Sequence, residues 1–113
     1  MRRLLAVIAS FLSMTSVNAQ SPPIAKVSAL TNGSLLLNGR ATTLAALERE
    51  LDSLKVSNGI VWYYRENAEA EPPPEAVAVI ELIAARRLPM SMSSKPDFSD
   101  YIDANGQSQR RKP

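Results

Sequence analysis

The chain has 113 residues, with 13 basic and 11 acidic side chains and neither cysteine nor histidine. That length suits one small domain around one core, and the missing residue types exclude disulfide staples and the usual zinc and transition-metal ligands, so no cofactor is expected. The pI near 9.2 is a property of the two ends; without Arg2, Arg3 and the tail Arg110-Arg111-Lys112 the remainder is acidic on balance, which argues against a nucleic-acid partner.

Arg2 and Arg3 precede an apolar run over residues 4–12, and small polar residues then lead to Val17-Asn18-Ala19. A charged, an apolar and a small-residue segment in that order read as a secretory signal peptide over residues 1–19, with cleavage after Ala19 and a periplasmic or secreted location. A retained membrane anchor is the competing reading. It needs about twenty consecutive apolar residues, whereas Ser10, Ser13, Thr15, Ser16 and Asn18 interrupt this run. Processing would leave 94 residues with no net formal charge and no stable membrane span.

Residues 20–23 form a short linker that Pro22 and Pro23 hold extended. From residue 24 to 30 the chain alternates, with Ala25, Val27 and Ala29 on one face and Lys26 and Ser28 on the other, which predicts a half-buried strand. Asn32-Gly33 turns it back into Leu35-Leu36-Leu37 as a hairpin. Asn38-Gly39 then leads into a first helix capped by Thr42 or Thr43. Its apolar stripe is Leu44, Leu47, Leu51 and Leu54, leaving Glu48, Arg49, Glu50 and Asp52 as a solvated face.

Asn58-Gly59 supplies residue types that tolerate a left-handed helix end. The β-branched and aromatic run of residues 60–64 predicts a strand with Ile60, Trp62 and Tyr64 on one face and Val61 and Tyr63 on the other. Trp62 is expected in the core or a dimer contact rather than as a ligand-stacking platform. A charged loop over residues 65–71 and Pro72-Pro73-Pro74 lead to a second helix, whose expected inward stripe is Ile80, Ile83, Ala84 and Arg87 with Ala76 or Val77. Leu88-Pro89 closes it.

Residues 90–93 predict a strand with Met90 and Met92 opposite Ser91 and Ser93. A helical turn or short strand over residues 97–102 is expected to dock Phe98, Tyr101 and Ile102, and residues 105–113 are expected as a disordered basic tail. The folded part, residues 24–104, is thus an α+β domain of order ββαβαβ. It forms a two-layer sandwich with both helices on one face of a single mixed sheet and the last three strands mutually parallel. The bare face, or an unpaired edge strand, is left for a partner.

Several of these residues together resemble the periplasmic domain of the ExbD/TolR family, subunits of envelope energy-transduction and biopolymer transport systems. The likeness rests on the Gly33 hairpin, Leu35-Leu36-Leu37-Asn38-Gly39-Arg40 ahead of the helix, Leu44, Leu47 and Leu51 within it, the apolar strand at 60–64 and the second helix over 77–85. The resemblance implies a non-enzymatic cell-envelope module that homodimerises and captures an envelope protein or peptidoglycan. Family members carry an aspartate in an uncleaved transmembrane helix, and residues 4–19 hold no acidic residue, so direct proton coupling is not expected. Family members also commonly carry an acidic residue just after the third strand, where this sequence departs with Arg65 before Glu66, so the resemblance assigns no binding role to Arg65. Trp62, Tyr64 and Arg65 are the candidate partner-binding residues if the aromatics face outward, and no catalytic or metal residue is expected. The alternative is a small periplasmic hydrolase acting on cell-wall glycans through the loop carboxylates Glu66, Glu69 and Glu71.

Overall fold

The computed structural model describes residues 21–112; the expected signal peptide lies outside the described residues. The elements in order are β1 (Ile24–Ala29), β2 (Leu35–Leu37), β3 (Arg40–Thr42), α1 (Leu44–Val56), β4 (Ile60–Arg65), α2 (Pro74–Ala85), β5 (Met90–Ser93), β6 (Asp100–Ile102) and β7 (Ser108–Arg110). Strands β3-β2-β1-β4-β5 form one mixed sheet, and β6 and β7 form a separate hairpin. Among the described residues no helix is long and apolar enough to cross a membrane.

Both helices lie on one face of the five-stranded sheet, as right-handed crossovers between parallel strands predicted. Leu47, Leu51 and Leu54 of α1 join Ala76, Val79 and Ile83 of α2, and these six pack over Ala25, Val27, Ala29, Leu35, Val61 and Tyr63. Burying a leucine or valine of this kind contributes roughly 1.5–3 kcal/mol. Thr43 caps α1, its Oγ1 accepting from the Ala46 N–H at 3.1 Å. Across the helix layer Arg86 donates to Asp52 at 2.7 Å and to Glu48 at 3.1 Å, tying α2 to the polar side of α1.

Three expectations are corrected. Asn38 and Gly39 both have positive φ and form the two-residue turn of a second hairpin, pairing Leu37 with Arg40. This adds β3, so the strand entering α1 is β3. The expected parallel set is changed with it: β2 runs antiparallel to β1, and it is β1, β3, β4 and β5 that share one direction, because the extra hairpin reverses the chain before α1. The inward stripe of α2 is Ala76, Val79 and Ile83, while Ala84 and Arg87 are exposed. With apolar residues around most of the helix, spacing alone did not single out the buried side. Residues 105–112 are ordered: the tail expected to be disordered supplies β7, paired with β6 from Asp100↔Arg110 to Ile102↔Ser108.

The β6–β7 turn has the same construction as the β1–β2 turn. In one, Leu30 N–H donates to Ser34 O and Gly33 N–H to Leu30 O; in the other, Asp103 N–H donates to Gln107 O and Gly106 N–H to Asp103 O. Each ends on a positive-φ glycine, the three-residue hairpin loop that favours glycine at its last position.

Candidate functional site

Alternation along β4 sends Val61, Tyr63 and Arg65 toward the helices and Ile60, Trp62 and Tyr64 to the opposite face. Of the first set Val61 and Tyr63 are buried, while Trp62 is only partly covered and lies outside the core cluster. Trp62 is therefore not a core residue. The C-terminal hairpin covers this part of the sheet: the Arg111 guanidinium sits 3.8 Å from the Trp62 ring centre, and Lys26 Nζ lies 5.5 Å from the same ring. Tyr64 meets Phe98 edge-on, with ring centres 6.4 Å apart.

Arg111 works as a clasp. Its Nε donates to Phe98 O at 3.0 Å and its Nη2 to Ser93 Oγ at 3.0 Å, while burial lowers its pKa. Asp100, 2% exposed, is the second anchor. Its carboxylate accepts from the Ser94 N–H at 3.0 Å, the Ser94 hydroxyl and the Ser108 hydroxyl at 2.6 Å. Burial pushes this carboxyl up, but the Ser108 and Ser94 hydrogen bonds, with the charge of Lys95, together hold it below its ordinary value.

The third candidate, Arg65, points elsewhere. Its guanidinium folds back to donate to the carbonyls of Ala68 and Ala70. The structure thus brings Trp62 and Tyr64 together under the hairpin and places Arg65 on the helix side of the sheet. Residue-by-residue reading missed Phe98, Asp100 and Arg111 as a unit; the available signal was a fourth Asn-Gly pair, Asn105-Gly106, after the segment Tyr101-Ile102.

β5 ends the sheet, and this edge stays without a strand partner among the described residues, although its last residue, Ser93, is buried where its hydroxyl donates to Asp100 O at 2.9 Å. Met90 and Met92 are 37% and 44% exposed, and Val77 on α2 is 43% exposed. Beside them runs an apolar groove of about 270 Å³ lined by Tyr63, Pro72, Ala76, Val77, Ile80 and Met92, with Arg65 and Glu81 at its rim. The other edge, β3, is three residues long and carries Arg40, which is how natural sheets blunt an edge. β5, with the sequence MSMS, carries no charge and no proline.

The loop carboxylate Glu66 is a structural tie. Its Oε1 accepts from both the N–H and the hydroxyl of Thr31, at 2.9 and 2.7 Å, which pins the β1–β2 turn. Those bonds lower its pKa. No cluster of metal-ligating side chains occurs among the described residues. No family model, curated protein or solved structure matches this chain.

Proposed function

We propose that this chain is an exported, non-enzymatic binding module of the ExbD/TolR kind, which homodimerises and in that form captures an envelope protein or peptidoglycan. The observation that carries the reading is the open β5 edge, uncharged and flanked by exposed Met90, Met92 and Val77. Of the two surfaces expected to receive a partner, the helix-free face is partly occupied by the chain's own hairpin.

The occupant we assign to the edge is a second copy of the chain. Two β5 strands related by a twofold axis pair antiparallel, each offering the same unpaired backbone groups, and the contact closes on itself. No like charges on the two strands oppose that pairing, and the methionines conform readily to a partner surface.

Light scattering on the purified exported protein over a range of concentrations tests this. A concentration-dependent dimer is expected, and Met92→Lys, which places a charge at the edge, is expected to leave a folded monomer. A wild-type chain that stays monomeric throughout, or a dimer indifferent to Met92→Lys, overturns the β5 assignment.

The hydrolase reading requires a carboxyl with a raised pKa in an enclosed site. Of the three loop carboxylates, Glu66 is shifted the opposite way and is engaged by Thr31, and no observation favours that reading.

A further inference from the structure

The hairpin builds a second site, on the opposite side of the sheet from the groove. A depression of about 400 Å³ is lined by Lys95, Ser99, Asp100, Ser108, Arg110 and Arg111. Three cations thus surround one carboxylate. That carboxylate is buried and already accepts hydrogen bonds from Ser94 and Ser108, so its acceptor capacity is turned into the protein. The close ion pairs among the described residues are those of Arg86 with Glu48 and Asp52; Lys95 and Arg110 form none there, although the Lys95 charge acts on Asp97 and Asp100. Arg111 spends two donors on Phe98 and Ser93, and a guanidinium has five.

We infer that this depression is a binding site for a compact oxyanion of the phosphate type. The arrangement matches that chemistry. Two guanidiniums offer paired N–H donors to a tetrahedral or planar oxyanion, and Lys95 adds a point charge. Phosphate monoesters carry about −1.5 to −2 near neutral pH, in balance with three cations and one carboxylate. The site is composite: Lys95 comes from the segment after β5, Ser99 and Asp100 from the start of hairpin β6–β7, and Ser108, Arg110 and Arg111 from its return. It exists because the tail folds. None of these residues lines the β5 groove, although Arg111 donates to Ser93 at the end of β5.

Such a group could reach the site from an anionic lipid headgroup or from a soluble phosphorylated molecule, and the test separates the two. Inorganic phosphate is titrated into the isotope-labelled exported protein at constant ionic strength, with sodium chloride as the control. Amide shifts are followed by NMR and Trp62 emission by fluorescence. Saturable shifts confined to the neighbourhood of Lys95, Ser99, Ser108, Arg110 and Arg111 are expected, with half-saturation at about 1 mM or below.

The doubly substituted Lys95→Ala, Arg110→Ala chain, which leaves the Arg111 and Asp100 anchors in place, is expected to bind about tenfold more weakly or worse. Co-sedimentation with phosphatidylglycerol vesicles, against phosphatidylcholine vesicles, then assigns the source. Binding to the former that falls with the double substitution points to the headgroup, and phosphate binding without vesicle binding points to a soluble ligand. Absence of saturable phosphate binding, shifts spread over the whole surface, or affinity unchanged by the double substitution each overturn the site.

Discussion

All four glycines of the chain follow an asparagine, and the pairs solve different problems. Gly33, Gly39 and Gly106 have positive φ in hairpin turns. At Asn58-Gly59 it is Asn58 that takes the left-handed conformation, with φ of 56°. Gly59 N–H then donates to Leu54 O and Asn58 N–H to Lys55 O, the paired bonds of a Schellman helix end. Gly59 is needed for space: a Cβ there would lie 2.2 Å from Leu54 Cδ1 and 2.8 Å from Pro23 O. Gly59→Ala is therefore expected to destabilise the fold by about 1–3 kcal/mol, the usual cost of overpacking, read as a lower urea midpoint. Tyr63 presents the opposite case. Its ring is core, 2% of the residue being exposed, but its hydroxyl is buried without a hydrogen-bond partner among the described residues. An unsatisfied buried hydroxyl costs about 1–3 kcal/mol. Tyr63→Phe is expected to hold or raise the midpoint, and a clear loss of stability would mean that the hydroxyl has a partner.

At the scale of elements, the hairpin β6–β7 is the least self-sufficient part. Two strands of three residues do not hold together in water by themselves, and every residue of β7 is exposed. Its stability comes from Phe98 and Arg111 against the sheet and from two carboxylates. Asp103 caps the turn, accepting from the N–H groups of Asn105 and Gln107 and from the Gln109 side chain, and the Gln107 bond leads the lowering of its pKa. Asp100 is likewise lowered from its ordinary 3.8, the serine bonds outweighing burial. A depressed folded pKa contributes stability that is complete above the unfolded value and is lost as pH falls through the folded one. The hairpin is therefore expected to stay closed near neutrality and to loosen below about pH 4. Trp62, the single tryptophan, reports this through its emission as Arg111 leaves the ring; emission unchanged by acid down to global unfolding would refute the role given to the two aspartates. Asn105-Gly106 was a turn signal that went unread, because the polar, basic composition of the residues around it suggested a solvated tail. In α2 the reverse held: an apolar helix was evident, and its buried side was not.

For the whole molecule, the decisive contrast is between the two ends of one sheet. β3 closes its end with Arg40 and brevity, while β5 leaves its outer backbone groups unpaired beside an apolar groove. A domain of this size with no cysteine has little stability to spare, so pairing at β5 would stabilise the fold as well as the assembly. If it does, the thermal midpoint rises with protein concentration, and Met92→Lys removes that dependence along with the dimer.

The amino-acid order by itself determined the α+β class, the alternation of β1 and β4, the leucine stripe and a threonine cap of α1, and the proline-led start of α2. Each of these follows from short-range sterics and period, which act between residues near in sequence. Tertiary structure alone decided which side of α2 is buried, that a third strand precedes α1, and that the basic tail returns to lay Arg111 on Trp62. Those outcomes depend on contacts between distant segments, such as Arg111 with Ser93 and Trp62, and no local pattern around either partner encodes where the other will be.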